Sequence, residues 1–415
     1  MSKGRGDNKI LLFVHGLTFL VSIIFSLLLP KALGVQDYII VMQITAFINF
    51  LLPICAFASP TLMIRQYNSL DRSVLFLQII KLYLLGSLLV TAIIVFTLLY
   101  LDVMTINIAI LVFFITLFSS VLTGIAAFAR AQTLLFLYSL CTILVKLNLL
   151  LIVTFFYIDN TLSATHLLFL WTLSGGIVLF LAFVYMEQPL SIAKLNSDVV
   201  EKNELLNMNE VIVFCFPVVF ANLLTMLLPL LERFLLGGLI SSGDLALYLF
   251  NIDILAKFSS VILLALKVVV FPKIMLTKKG LQVELFYTYL KKVSIIIFFV
   301  FLASPFLSYL YGVIIAKFIG YNEYYDFYVV ILLITYSLVI PFNYMLTIGL
   351  VIINKNKFLL VSTSMTLFLH VVGILVFSEK YAALGASSSL FFSFLISSLI
   401  LLFYTLVKVN EYKSN

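Results

Sequence analysis

Long apolar runs, separated by short polar clusters, occupy most of this chain of 415 residues. The runs predict twelve helical spans, at residues 10–29, 38–59, 79–101, 106–128, 134–158, 166–186, 211–236, 245–271, 292–311, 326–352, 358–377 and 382–406. Each run has the length of about 20 residues that a helix needs to cross the hydrocarbon core of a bilayer. At such lengths only helices satisfy all their backbone hydrogen bonds within one segment. The pattern therefore predicts an all-α, polytopic integral membrane protein.

The composition supports lipid as the solvent. Hydrophobic residues make up 64% of the chain and charged residues only 10%, whereas soluble domains carry about 25% charged residues. The net charge of +7 is carried mainly by basic residues in short loops, so we expect no nucleic-acid partner.

The basic residues also predict the orientation. With twelve spans, 18 of the 25 Lys and Arg fall in loops or at span ends on the side of the N-terminus, three fall on the opposite side and four fall in the interiors of spans. Since cytoplasmic loops are enriched in Lys and Arg, both termini are expected in the cytoplasm.

A polar stretch at residues 187–210 divides the predicted spans into two groups of six. We predict an N-terminal six-helix bundle at 1–186, a cytoplasmic linker at 187–210 and a C-terminal six-helix bundle at 211–415. A weak repeat supports this division, because a Gly-containing turn, an acidic residue and a Tyr follow both the first and the seventh span. Six spans per half predict parallel repeats, related by an axis along the membrane normal.

Charged residues inside a bilayer are costly and usually face a cavity or a partner. Lys146 lies near the centre of the fifth span, where it either binds a ligand or pairs with a structural partner. Asp253 and Lys257 share one face of the eighth span at i,i+4. They form either a self-neutralising pair or a cavity-facing pair in which Lys257 meets an anion and Asp253 titrates.

The other candidates lie nearer the ends of spans. Glu232 and Arg233 lie toward the outer end of the seventh span. Arg233 suits a phosphate because its planar fork can bind two oxygens, and the alternative is a charge pair at the outer interface. Arg65 and Arg130 end spans two and four on the cytoplasmic side, either as topology signals alone or at the mouth through which an anion enters.

The sequence offers no catalytic or metal-binding constellation. His15 and His370 are interpreted as packing residues, since no His, Cys or carboxylate stands at metal-ligand spacing from either. Walker A, G-x-S-x-G, H-E-x-x-H and G-x-G-x-x-G patterns do not occur. We therefore expect no cofactor, no metal, no catalytic residue and no enzymatic activity.

Three short segments resemble the Wzx-type polysaccharide-biosynthesis flippases of the multidrug/oligosaccharidyl-lipid/polysaccharide exporter superfamily. They are the turn Leu33-Gly34-Val35-Gln36-Asp37-Tyr38, the segment Glu232-Arg233-Phe234-Leu235-Leu236-Gly237, and Tyr248 early in the next span. The chain departs from the family in having Glu232 where Asp is more usual, and Ala246 and Leu247 where Gly is frequent.

The resemblance implies a two-bundle fold like that of MATE transporters, in the inner (plasma) membrane of a bacterium. It implies a cargo of undecaprenyl diphosphate bearing an O-antigen or capsule oligosaccharide, and contacts with membrane lipid and with other membrane proteins of glycan assembly. Lys146, Arg233, Lys257, Arg65 and Arg130 would bind this cargo, and rocking of the two halves would carry it across. Asp253 and Glu232 would couple transport to an ion gradient.

Two alternatives stay open. A multidrug exporter of the same superfamily should favour acidic residues for cationic drugs, whereas the interiors of the spans here hold four basic and two acidic residues. A membrane glycan polymerase or ligase should have a large external loop, and the longest predicted loop is cytoplasmic.

Overall fold

The structure is a computed structural model that describes residues 3–56, 86–89, 91–92, 105–131, 134–156, 162–195, 208–266, 270–275, 279–320, 322–353, 355 and 357–414. Across these ranges the chain is helical almost throughout and contains no strand. Ten helices of the described ranges are long and apolar enough to cross a membrane. The predicted all-α polytopic class is confirmed.

The helices follow the predicted spans closely. The N-terminal set comprises α1 (Lys3–Leu33), α2 (Val35–Ala56), α3 (Ile106–Ala131), α4 (Leu135–Ser139, a π turn at Leu140–Leu144, and Val145–Phe156) and α5 (Ala164–Leu195). The C-terminal set comprises α6 (Met208–Leu239), α7 (Ser242–Ala265), α8 (Lys279–Val313), α9 (Phe327–Ile352), α10 (Lys357–Gly373) and α11 (Glu379–Ser414). The predicted span 79–101 is described only at 86–89 and 91–92, which are helical.

The last apolar helical stretch, Phe358–Glu411, has 54 residues, which at 1.5 Å per residue is roughly 80 Å and more than twice the hydrocarbon thickness. It is a hairpin of two spans, as the sequence predicted. A π turn at Ile374–Ser378 separates α10 from α11, and the backbone is non-helical at Ala382 (φ 46°), near the start of α11. Hydrogen bonds from Ser362 to Ser397 and from His370 to Ser389 show that the two helices run antiparallel.

The chain forms two compact units, an N-terminal unit (Met1–Met226) and a C-terminal unit (Leu227–Asn415). In the N-terminal unit α1 packs on α4 and α3 packs on α5. In the C-terminal unit α9 contacts α7, α8 and α11, and it is the most buried span of the described ranges. The unit boundary lies within α6. The helices α5 and α6 extend into the predicted linker from either side, so the exact six-plus-six division at 187–210 stays a prediction.

The two motifs of the weak repeat have similar local structures. Gly34 joins α1 directly to α2 with φ +74°, a left-handed conformation that favours glycine. Asp37 lies in the first turn of α2 and Asp244 in the first turn of α7, where a carboxylate is favoured by the helix dipole. Tyr38 follows Asp37 directly and Tyr248 lies one turn after Asp244, and both are among the largest fully buried side chains.

Candidate functional site

The most deeply buried acid–base contact among the described residues joins α6 to α10. Glu232 Oε2 lies 3.1 Å from His370 Nε2, and each side chain is only 1% exposed. The other ring nitrogen, Nδ1, lies 3.0 Å from Ser389 Oγ on α11. Three helices of the C-terminal unit therefore meet at the imidazole ring of His370.

Glycine allows α10 and α11 to approach closely enough for this contact. A Cβ atom added to Gly373 would overlap the Oγ of Ser389, and one added to Gly385 would overlap the carbonyl oxygen of Phe377. Small residues at helix interfaces permit such close backbone approach in membrane proteins. Ser389 Oγ also donates a hydrogen bond of 2.8 Å to the carbonyl oxygen of His370. The serine is thus fixed against both the ring and the backbone of the histidine.

Two buried tyrosines complete the surroundings of Glu232. Tyr248 on α7 and Tyr336 on α9 both lie close enough to interact electrostatically with this carboxyl group. Glu232 Oε1 and the Tyr248 hydroxyl are both buried, and the Tyr248 hydroxyl lies within hydrogen-bonding reach of the Glu232 carboxyl group. The carboxyl group is thus approached by both the imidazole of His370 and the phenol of Tyr248.

Arg233 follows Glu232 directly on α6, so its side chain leaves the helix about 100° further round. It is partly buried, its Nε is enclosed by protein, and it interacts electrostatically with Tyr248. The guanidinium group therefore lies near the same tyrosine as the Glu232 carboxyl group.

Asp253 and Lys257 form a second acid–base pair, within α7. Lys257 Nζ donates to Asp253 Oδ2 at 2.6 Å, with side chains that are 22% and 25% exposed. Tyr311 on α8 lies within electrostatic reach of Asp253. Compared with Glu232 and His370, both members of this pair are accessible.

In the N-terminal unit the candidate cation is Lys146 on α4. Its Nζ donates to Ser22 Oγ on α1 at 3.2 Å, and its side chain is exposed. Ser22 in turn donates to the carbonyl oxygen of Thr18. Arg65 lies outside the described residues, and the side chain of Arg130, at the end of α3, is also outside them.

The structure thus brings together Asp253 with Lys257, and Glu232 with His370. Sequence reasoning missed His370 and Ser389, because Glu232 and His370 are 138 residues apart and no spacing rule connects them. Among the described residues, no group of three or more His, Cys, Asp or Glu could hold a metal ion.

An apolar cavity of about 380 Å³ lies among α8, α9 and α11. Aromatic and aliphatic side chains dominate its lining, including Phe298, Phe301, Leu338, Phe342, Phe391 and Leu395. Such a lining suits hydrocarbon rather than a charged group.

Comparisons with known proteins identify the fold. No family model matches the sequence, and no curated protein matches it. Among solved structures, a mutant of the Vibrio cholerae MATE transporter VcmN is similar over 99% of both chains, with a TM-score of 0.63 and 14% identity. The lipid II flippase MurJ in an inward closed conformation is similar over 98% of this chain and 89% of its own, with a TM-score of 0.64 and 12% identity.

A third similar structure is the MATE multidrug transporter DinF-BH in complex with R6G, which matches over 96% of this chain and 94% of its own, with a TM-score of 0.57 and 13% identity. At these identities the likeness shows the fold alone. The chain is therefore a multi-pass helical membrane protein with the fold shared by MATE transporters and MurJ.

Proposed function

We propose that this chain is a flippase that moves undecaprenyl-diphosphate-linked oligosaccharide units, such as an O-antigen or capsule repeat. It carries them by alternating access from the cytoplasmic to the outer leaflet of the bacterial plasma membrane, with both of its termini in the cytoplasm. The observation that carries the proposal is the balance of charge within the spans. Asp253 is engaged by Lys257 and Glu232 by His370, while Lys146 and Arg233 add positive charge.

This balance favours an anionic cargo. A diphosphate headgroup bears negative charge that cannot cross hydrocarbon alone, and attraction to a cation strengthens as the local dielectric falls. Arg233 offers two parallel donors for phosphate oxygens, while Lys146 and Lys257 act as point charges. A cationic drug would instead need carboxylates available to it, and both carboxylates face bases.

The fold supports transport of an amphiphile. One solved structure with this fold is named a lipid II flippase, and others are named multidrug transporters. The apolar cavity among α8, α9 and α11 would accommodate part of a hydrocarbon chain while the headgroup is moved. A multidrug exporter of the same fold is the alternative function.

The test uses the full chain in proteoliposomes that contain a polyprenyl-diphosphate-linked oligosaccharide with a fluorescent sugar. Translocation is measured as the labelled fraction that a membrane-impermeant quencher reaches over time. We expect Lys146→Ala, Arg233→Ala and Lys257→Ala each to slow translocation at least about tenfold, since each removes a charge-assisted contact. Arg233→Lys should recover only part of the rate.

Rhodamine 6G in the same vesicles provides the comparison with a cationic drug. Normal lipid translocation by all three alanine variants would show that none of these residues is needed to bind the cargo. Export of rhodamine 6G without any movement of the labelled lipid would replace the flippase proposal with the multidrug exporter.

A further inference from the structure

Two lysines from different elements of the C-terminal unit lie against one tyrosine ring. Lys273 belongs to the short helix Phe271–Met275 that follows α7, and its Nζ lies 5.8 Å from the centre of the Tyr289 ring on α8. Lys292 lies about one turn after Tyr289 on α8, and its Nζ is 5.7 Å from the same centre. An ammonium group at this distance is attracted to the face of an aromatic ring. The tyrosine therefore holds two positive charges close together.

The position of Lys273 is fixed by the residue that follows it. Ile274 is completely buried and belongs to the same apolar cluster as Phe286 of α8. Its burial docks the short helix on the part of α8 that carries Tyr289. Lys273 itself is exposed, as is Lys292. The two charges are thus accessible, although the core determines where they lie.

The beginning of α8 is rich in basic residues. Residues 279–292 hold three lysines and a single acid, Glu284, whose side chain leaves the helix about 140° round from that of Tyr289. Two ammonium groups beside one ring repel each other, and an anion bound between them would offset this repulsion. The patch formed by Lys273, Tyr289 and Lys292 therefore suits an anionic group.

The length of α8 places this patch at the level of the lipid headgroups. Its 35 residues form a helix of roughly 52 Å, whereas the hydrocarbon core is about 30 Å thick. The segment 279–292 holds every charged residue of α8, so this is the end that extends beyond the hydrocarbon. Tyr and Lys are residue types that favour the membrane interface. The anion present at this depth is the phosphate of a membrane lipid.

An apolar surface for lipid chains lies directly below Lys292 on α8. Ile296 and Phe299 follow Lys292 at i+4 and i+7, so the three residues share one face of the helix. Their apolar side chains are 57% and 64% exposed. A lipid bound along this face would meet positive charge at its headgroup and apolar side chains along its acyl chains. That combination matches a phospholipid with a negative headgroup.

We propose that Lys273, Tyr289 and Lys292 form a binding site for an anionic phospholipid of the surrounding bilayer, whose chains lie along Ile296 and Phe299. Its phosphate lies between the two ammonium groups. Phosphatidylglycerol binds in preference to phosphatidylcholine, because the choline cation would be repelled by the lysines. The proposed topology makes this a site of the cytoplasmic leaflet. The site does not depend on which lipid the protein transports.

A single tryptophan placed in the site reports lipid binding to the full chain. Trp171, the only tryptophan of the sequence, is changed to Phe, and Tyr289→Trp is added, which keeps an aromatic ring that attracts cations. The protein is reconstituted in mixtures of phosphatidylglycerol with bromine-labelled chains and unlabelled phosphatidylcholine, and in mixtures with the label exchanged. Quenching of the tryptophan fluorescence measures how far each lipid occupies the site. We expect phosphatidylglycerol to quench more strongly at equal proportions.

Substitutions of the lysines in this background test the charge. Lys273→Gln and Lys292→Gln should each lower the preference for phosphatidylglycerol about fivefold, the effect of one lysine at a membrane surface. Lys273→Arg and Lys292→Arg should retain it. The matched control is Lys291→Gln, which removes the same charge from a side chain about 100° round the helix from Lys292, and its effect should stay below about twofold. Circular dichroism and size-exclusion chromatography establish that each variant is folded.

Three outcomes would overturn the site. Equal quenching by the two lipids would show no selection by charge, and equal effects of Lys291→Gln and Lys292→Gln would show a general surface charge instead of a site. If undecaprenyl phosphate displaced labelled phosphatidylglycerol better than the same amount of unlabelled phosphatidylglycerol, the site would belong to the carrier lipid. None of these measurements requires translocation, so the phospholipid site and the flippase proposal can fail separately.

Discussion

The two acid–base pairs of the C-terminal unit differ in how they are built. Glu232 and His370 join two helices far apart in sequence and are each 1% exposed, whereas Asp253 and Lys257 lie one turn apart on α7 and are 22 to 25% exposed. A pair within one helix forms as soon as the helix forms. A buried pair between helices forms only when the tertiary structure is complete. The comparison shows that one unit holds an acid–base pair that ties distant helices together and another pair that stays accessible.

The largest expected effect comes from removing one partner of the buried pair. His370→Ala leaves Glu232 buried without its base, and we expect a loss of about 3–5 kcal/mol in the free energy of unfolding. Chemical denaturation in detergent micelles, followed by circular dichroism, measures this loss. The matched control is His166→Ala, because His166 is exposed on α5, and its effect should stay within about 0.5 kcal/mol. Equal losses of stability in the two variants would contradict the prediction that the buried pair contributes more to stability than an exposed histidine does.

An intermediate effect should follow from separating the helices that hold His370. Gly373→Ala forces a methyl group into Ser389, and overpacking of this kind costs about 1–3 kcal/mol. Gly238→Ala is the control, since nothing lies within 4 Å of a Cβ atom at that position. The same denaturation experiment should find that change neutral or slightly stabilising. If Gly373→Ala leaves the free energy of unfolding unchanged, α10 and α11 do not need to approach so closely.

The smallest effect on stability is expected at the accessible pair. Asp253→Asn removes an i,i+4 ion pair on α7, and pairs at this spacing stabilise a helix by about 0.3–0.5 kcal/mol. The free energy of unfolding should fall by no more than this amount if water reaches Lys257. A loss near 2.5–3.5 kcal/mol, the cost of a lone Lys at the centre of a membrane helix, would place Lys257 against lipid and exclude it from cargo binding.

Local features of the sequence predicted the fold well. The apolar run 106–128 became Ile106–Ala131, and the run 326–352 became Phe327–Ile352. The length of apolar run that a span needs is set by the thickness of the bilayer. A span can therefore be predicted from the sequence without knowing which helices pack against it. The helix α5 instead continues to Leu195, beyond the predicted end at 186, because a helix need not stop where its apolar stretch ends.

The candidate site was predicted only where its geometry is local. The spacing of Asp253 and Lys257 suggested their contact, which the structure contains. The contact of Glu232 with His370 depends on how α6 packs near the α10–α11 hairpin, and no periodicity carries that information. His370 therefore looked like a packing residue. The roles of Lys146, Arg233, Lys257, Asp253 and Glu232 in binding and coupling stay predictions.

The separation of 138 residues between Glu232 and His370 has a consequence for biogenesis. Translation brings α6 into the membrane well before the α10–α11 hairpin has been made. During that interval Glu232 has no imidazole beside it, and a polar group without a partner in hydrocarbon is costly. Docking of the last hairpin then supplies the hydrogen-bond partner. Completion of the chain is thus marked by the formation of this contact, and a chain truncated before residue 370 would keep the Glu232 carboxyl group without its partner.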